Sequence, residues 1–280
     1  MSAARGGLMG SGDPSPIHVP GRPPAVLAFH GFGGTPFEVA LVADAAKELG
    51  LEVHAPLLPG HGTDAHDLAR TGFREWSDAA RAALERIAAP GAPAIVVGLS
   101  LGSLLAAHLA ATVPDRVLGL AMLANATRLS PLTTAWPLRV VDALHLPDFS
   151  VPKVTADIAD PEARKDHLTY GLQPVRAAIE VLKAGARVEK RLGDVHCPAL
   201  VAHGLHDHVC PVENAERVLR LLGSKDKRLV VLPRSFHIVT RDYDRETLRG
   251  ELLRFFQRLS AKAAALHTQN GKRAHTPVEP

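Results

Sequence analysis

The sequence predicts an α/β fold: a mostly parallel central sheet flanked by helices, with a small cap inserted between the fourth and fifth strands. Three observations carry that expectation. Short apolar runs of strand length alternate with stretches of helical period from residue 25 to residue 124. The alternation stops between about Thr127 and Glu189 and then resumes. The 280 residues are 46% hydrophobic and 22% charged, a composition that suits one large globular domain carrying an insertion.

The first run, "AVLAFH" at 25–30, reads as a buried strand ending in glycines. "TPFEVALVADAAKELG" follows with helix signals: Thr35 at the N-cap, Pro36 at the first helical position, Glu38 two residues later and Gly50 beyond the end. "LEVHAP" is a second strand and "FREWSDAARAALERIAA" an amphipathic helix. "AIVVGL" is a third strand, "LGSLLAAHLAATV" a helix, and "VLGLAMLA" a fourth strand. After the break, "PALVAHG" and "KRLVVLP" read as strands, "PVENAERVLRLLG" and "YDRETLRGELLRFFQRLSA" as helices. The expected organisation is therefore a flexible tail over 1–24, a core over 25–126 and 190–262, a cap over 127–189, and a second flexible tail over 263–280.

The formal net charge is +3, with no long run of Lys or Arg, which argues against a nucleic-acid partner. Two cysteines make no disulfide framework and fit a reducing, cytoplasmic setting. The opening segment, rich in Gly, Ser and Pro, lacks the apolar stretch of a secretory signal. No apolar run reaches the length of a membrane span, so no stable membrane insertion is expected.

The chemistry centres on "GLSLGS" at 98–103. It puts Ser100 between two glycines where a strand turns into a helix, the setting of a nucleophile elbow. Serine needs a base, and the base needs an orienting carboxylate. His237 follows the last expected strand and Asp207 the strand before it, so both emerge at the sheet edge where Ser100 does. Asp194 is a weaker candidate for the acid. The loop "HGFGGTP" follows the first strand, and its Phe32 N–H, with the Leu101 N–H, suits stabilisation of an oxyanion. The order Ser100, Asp207, His237 is that of the α/β-hydrolase architecture.

"HGFGGTP", "LLPGHGT", "GLSLGS", "GLHDHVCPVENA" and "SFHIVTRDYDRE" together resemble the ordered signature set of bacterial carboxylesterases and monoacylglycerol lipases of the α/β-hydrolase superfamily. The resemblance runs from about Ala25 to Phe256. It implies a serine hydrolase with a small cap over an acyl pocket and establishes no substrate. The apolar density of the insertion leads to the expectation of short- to medium-chain acyl esters, monoacylglycerols among them, cleaved through an acyl-enzyme. Two positions depart from the usual pattern: Ser103 stands where relatives often have Gly, and Phe236 where they often have Gly before the histidine. His61 of "LPGHGT" matches the pattern and reads as a loop-shaping residue. The cap's apolar residues, Leu144 and Leu146 among them, are expected to line the pocket with Phe32 and Phe236.

Thioesterase, amidase and acyltransferase chemistry use the same nucleophile and oxyanion donors and remain alternatives. A binding protein on a retained hydrolase scaffold would usually lack a triad member. The cluster His203, His206, Asp207, His208 and Cys210, with His196 and Cys197 upstream, offers zinc-ligand types without a known structural spacing. No metal or organic cofactor is called for; the expected partner is a small acyl ester.

Overall fold

Alternate residues of each central strand serve two different cores, and this pattern builds the molecule. The computed structural model describes residues 7–87, 92–153 and 155–273. Its strands are β1 (Leu8–Met9), β2 (Ile17–Val19), β3 (Arg22–Phe29), β4 (Leu51–Ala55), β5 (Ala94–Leu99), β6 (Val117–Leu123), β7 (Ser150–Pro152), β8 (Thr169–Tyr170), β9 (Leu172–Pro174), β10 (Ala199–Gly204) and β11 (Lys227–Leu232). The α-helices are α1 (Ala40–Glu48), α2 (Ala65–Ala69), α3 (Phe73–Ile87), α4 (Leu101–Thr112), α5 (Trp136–Ala143), α6 (Pro161–Asp166), α7 (Val175–Glu189), α8 (Glu213–Leu221) and α9 (Arg245–Arg273).

Seven strands form the central sheet in the order β11-β10-β6-β5-β3-β4-β2. All neighbours are parallel except β2, which lies antiparallel on β4 at the edge. On β5, Ala94 and Val96 face the core shared with α3, α4, α7 and α8, while Ile95, Val97 and Leu99 face the core shared with α1 and α9. Both faces are covered, which is why these strands read as continuous apolar runs. On α9 the buried residues Leu248, Leu252, Phe255, Phe256 and Leu259 recur at helical spacing and make one stripe. Each such side chain contributes about 1.5–3 kcal/mol by leaving water.

From β3 the chain runs to β4 on one side; it then crosses to β5 on the other side of β3. Connections that leave neighbouring strands in opposite directions open a crevice beyond their carboxyl ends, where ligands bind in open α/β sheets. The loops carrying His30–Phe32 and Ser100 both start there, after β3 and β5.

Several elements differ from the sequence reading. Residues 8–9 and 17–19, assigned to a flexible tail, are strands, and β3 starts at Arg22. β1 pairs with β8, so a long-range partner orders a segment with no local signal of its own. The helix expected at Thr35 begins as a 3-10 turn, Pro36–Val39, and Thr35 makes no side-chain cap. α9 continues to Arg273, through the first half of the expected C-terminal tail. The segment after β6, expected to hold no strand, contains β7, β8 and β9. Its helix α7 is a core element: Ala177, Ala184 and Val188 are buried, and Gly185 lies so close to the chain at Ala126 and Thr127 that a Cβ would be 2.6 Å from the Thr127 carbonyl.

Candidate active site

Ser100 joins β5 to α4 with φ 54° and ψ −115°, in the left-handed half of backbone space that side chains rarely occupy. A conformation of this kind costs about 1–3 kcal/mol and persists where surrounding structure imposes it. The two flanking glycines show the imposition. A Cβ on Gly98 would lie 2.0 Å from the Gly102 carbonyl oxygen, and one on Gly102 would lie 2.1 Å from the Phe29 carbonyl oxygen. The Ser100 N–H donates to Leu123 O at 2.9 Å, tying the turn to β6. Ser103, the departure from the usual pattern, donates its hydroxyl to the Ser100 carbonyl at 2.6 Å and so braces the same turn.

The three residues named from the sequence meet. His237 Nε2 lies 2.9 Å from Ser100 Oγ, and His237 Nδ1 lies 2.7 Å from Asp207 Oδ2. Asp207 Oδ1 accepts the N–H groups of Val209 and Cys210 at 2.9 and 2.7 Å. Burial by itself would push the Asp207 carboxyl up; the His237 charge and then hydrogen bonds from His203 and His237 overcome this and hold it well below its ordinary range. Burial would likewise lower His237, but Asp207 first, then Asp157 and Glu38, raise it above the usual imidazole value. Asp194 is paired with Arg191 at 2.9 Å on a half-exposed surface, away from this role.

The loop after β3 is clamped from several sides. Leu58 N–H donates to His30 Nε2 at 3.1 Å, so the His30 proton sits on Nδ1 and points to the Gly31 carbonyl, 2.9 Å away. Gly34 N–H donates to the same carbonyl at 3.2 Å. Because a trans peptide sets its C=O and N–H in opposite directions, the Phe32 N–H faces away from these donors. Gly31 itself lies beside the serine: a Cβ there would be 3.4 Å from Ser100 Cβ. The Phe32 ring packs edge-on against His61 and Trp76, with centroids 6.2 and 6.0 Å apart. His61 is buried, its Nδ1 lies 3.0 Å from Pro59 O, and burial lowers its pKa to about 4, so it shapes the loop as a neutral ring.

The sequence reading missed four residues that hold this arrangement. His203, read only as a candidate metal ligand, places Nε2 3.1 Å from Asp207 Oδ2 and 3.1 Å from Cys210 O. Asp242 accepts Phe236 N–H and Ala159 N–H on Oδ2 at 2.8 Å, and Asp160 and Tyr243 N–H groups on Oδ1 at 3.0 and 2.8 Å. It thereby joins the loop before His237 to the segment after β7. Asp157 accepts both His237 and Ile238 N–H groups on its carbonyl at 3.1 Å, and its carboxylate lies 2.7 Å from His208 Nδ1. Glu38, expected as a helix-capping residue, instead accepts the Gly31 N–H at 2.8 Å. The position of His203 inside the unbroken apolar run "ALVAHG" was a signal for its burial; the other three make contacts that local spacing does not report.

Two of the residues expected to line a pocket are open to solvent: Leu144 and Leu146, beyond the end of α5, are 63% and 45% exposed. Trp136, Phe149 and Val151 are exposed as well, while Leu138 is buried. Phe236 is half-buried and meets the His208 ring edge-on at 4.6 Å. The segment after β7 instead brings Lys153, Thr169, Tyr170 and Gln173 to a small cavity beside Phe32 and Gly33. Of the residues in the metal reading, His203, Asp207 and His208 have their ring or carboxylate atoms engaged in the hydrogen bonds above. Among the described residues, the carboxylate and histidine group with atoms in mutual reach is Asp64, His66 and Asp67, exposed or half-buried, where Asp64 caps α2.

A parallel sheet with a serine elbow, a histidine and an aspartate at its carboxyl edge defines the α/β-hydrolase class. The comparisons agree. A solved structure described as one of two metagenome-derived lipolytic enzymes superposes with a TM-score of 0.78 at 30% identity, covering 88% of this chain and 98% of the other. The monoacylglycerol lipase structure of Paleococcus ferrophilus shares the fold with a TM-score of 0.72 at 22% identity, over 86% of this chain and 96% of that one. The thermostable monoacylglycerol lipase of Bacillus sp. (strain H-257) is 29% identical over 241 residues, 86% of this chain and 93% of that relative. The carboxylesterase of Bacillus subtilis (strain 168) is 25% identical over 250 residues, 88% and 97%. The Hydrolase_4 family, described as serine aminopeptidase, S33, matches residues 22–244, and the chain belongs to that family.

Proposed function

We propose that the protein hydrolyses carboxylic esters of short- to medium-chain acids, monoacylglycerols among them, through an acyl-enzyme on Ser100. The observation that carries the reading is the unbroken line Asp207–His237–Ser100, with contacts of 2.7 and 2.9 Å. His237 takes the hydroxyl proton through Nε2 as Ser100 Oγ attacks the ester carbonyl. Asp207 keeps the other ring proton on Nδ1 and stabilises the imidazolium that forms. The backbone N–H groups of Phe32 and Leu101 receive the oxyanion, and the N-terminal end of α4 adds its dipole there. His237 then gives its proton to the leaving alcohol. Water enters, His237 takes its proton, and the acid leaves as Ser100 regains its hydrogen. Phe32 and Phe236 contact the substrate. Residues 25–126 and 190–262 act as the catalytic core, which α7 joins, and the rest of 127–189 acts as a cap that brings Lys153, Thr169 and Tyr170 to the loop of Phe32. The names of the Bacillus relatives support an ester as substrate.

The description of the matching family points to a second reading, cleavage of an amide or peptide bond by the same residues. No helix among the described residues is long and apolar enough to cross a membrane. We assign the protein to the cytoplasm, a placement supported by two cysteines that form no disulfide. A fluorophosphonate probe tests the assignment of the nucleophile: mass spectrometry of the labelled protein should find the adduct on Ser100, and an adduct on another residue would overturn it.

A further inference from the structure

Glu38 is 3% exposed, and its carboxyl fills the curl of the loop that carries Phe32. Oε2 accepts the Gly31 N–H at 2.8 Å. A Cβ on Gly34 would lie 2.3 Å from the carboxyl carbon and both its oxygens, so the loop closes on this group without room for a side chain. From the other side, His167 brings Nε2 to 3.3 Å of Oε1, a contact rather than an ion pair, because burial lowers the His167 pKa to about 3 and leaves the ring neutral. Burial pushes the Glu38 carboxyl up, against the Gly31 N–H and the charges of Lys153, His237 and Arg241. Burying a carboxyl costs free energy that an apolar residue of similar size would not incur. The compensation visible at this site is a fixed direction for one backbone donor.

That direction is set at Gly31. Glycine leaves both backbone dihedrals free. Its N–H is held by Glu38 Oε2 and its C=O by His30 Nδ1–H and Gly34 N–H. The two clamps fix the peptide planes before and after Gly31, and the second plane carries the Phe32 N–H. We propose that Glu38 is a positioning residue for oxyanion stabilisation: by accepting the Gly31 N–H it aims the Phe32 N–H at the tetrahedral intermediate. The inference rests on the proposed roles of Ser100 and Phe32.

The test compares the wild-type enzyme with Glu38→Ala, Glu38→Asp and Glu38→Gln, using p-nitrophenyl octanoate and an alkyl trifluoromethyl ketone, which forms an oxyanion on the serine. Glu38→Asp keeps the carboxyl but shortens its reach by one methylene, and Glu38→Gln keeps an acceptor oxygen at full reach. Glu38→Ala and Glu38→Asp should lose about 10- to 100-fold in kcat with KM within about twofold, the pattern of an interaction made in the transition state. Ketone affinity should fall in step with kcat/KM. Glu38→Gln should recover kcat to within about threefold of wild type, because an amide oxygen still accepts the N–H. If Glu38→Ala does not fold, the Asp and Gln variants decide. Unchanged kcat in Glu38→Asp, a defect confined to KM, or a Gln variant as impaired as the Asp variant would overturn the proposal. Fluorophosphonate labelling of wild-type Ser100 separates that outcome from failure of the triad reading, which would leave Ser100 unlabelled.

Discussion

Asp207 Oδ2 lies 2.7 Å from His237 Nδ1, and the same oxygen lies 3.1 Å from His203 Nε2. One carboxylate oxygen thus serves two imidazoles, while its partner is saturated by the Val209 and Cys210 N–H groups. Asp207→Asn would turn an N–H₂ toward one of these donor pairs and leave His237 in the wrong tautomer. Its kcat should fall by about 10⁴-fold with the fold retained. His203→Ala removes one donor to the carboxylate and should cost about 10- to 100-fold in kcat, since one hydrogen bond to a charged group is worth about 1.5–3 kcal/mol. Steady-state kinetics of the two purified variants check both. Equal effects of the two changes would mean that His203, not Asp207 alone, sets the imidazole.

The acid limb of kcat/KM should lie above the unperturbed histidine value of about 6.5. As the proposed base, His237 works only when neutral, and Asp207, Asp157 and Glu38 raise it despite its burial. Activity therefore falls as pH drops through this raised value. The stability contribution runs the other way. For a raised histidine it is fully present below about pH 6.5 and is lost as pH rises through the folded-state value. For the depressed Asp207 it is present above about pH 3.9 and is lost as pH falls toward its folded value. Asp157→Asn removes one of the negative charges and should shift the acid limb downward. A pH profile of kcat/KM for the two proteins reads this directly; an acid limb below about 6 in the wild type would contradict the assignment of cause.

Gly102→Ala should destabilise sharply, because its Cβ would stand 2.1 Å from Phe29 O and 2.8 Å from His30 O, backbone atoms that no rotamer change can move away. Overpacking of this kind costs about 1–3 kcal/mol or more. At roughly 2–4 °C per kcal/mol for a large domain, Tm should drop by about 4–10 °C. Gly193→Ala is the control, since nothing lies within 4 Å of a Cβ there. Scanning calorimetry that finds the two alike would show that the elbow has more room than its geometry indicates.

Asp242→Asn tests the junction between the loop before His237 and the segment after β7. The buried carboxylate accepts four N–H groups. An asparagine amide retains one acceptor oxygen and sets its own N–H₂ against the remaining donors, and unsatisfied buried donors cost about 1–3 kcal/mol each. Chemical denaturation should show a loss of at least about 2 kcal/mol. Intact stability would mean that the two segments are held together by other contacts.

Strand and helix alternation made the sheet legible, and β5 starts and ends where "AIVVGL" does. The two-sided burial of the strands produced those unbroken apolar runs, so the signal and the structure have one cause. Ser100, Asp207 and His237 were legible for a similar reason: each follows a strand, and parallel strands deliver their carboxyl ends to one edge. Glu38 shows where local reading fails. Its spacing after Thr35 and Pro36 matches a helix start, yet the carboxyl turns back to Gly31, a preference decided by tertiary contacts and not by the helix. The strand Leu8–Met9 is ordered by pairing with Thr169 and Tyr170, and nothing near residue 8 encodes that partner. Leu144 and Leu146 were placed by apolar density alone, which does not say which residues of a cap are covered; both follow the end of α5 and are exposed.

The central claim is that Ser100, driven by His237, cleaves carboxylic esters. The most direct test is kcat/KM of the wild type and Ser100→Ala across p-nitrophenyl esters of increasing acyl length, with a matched thioester and amide. The account predicts that ester turnover rises from acetate toward butyrate and octanoate, by up to about 0.8 kcal/mol per buried methylene. It predicts that esters exceed the thioester and amide, and that Ser100→Ala, still folded, loses all of this activity. A folded Ser100→Ala enzyme that keeps its ester turnover, or a wild type that prefers the amide or thioester, would contradict it.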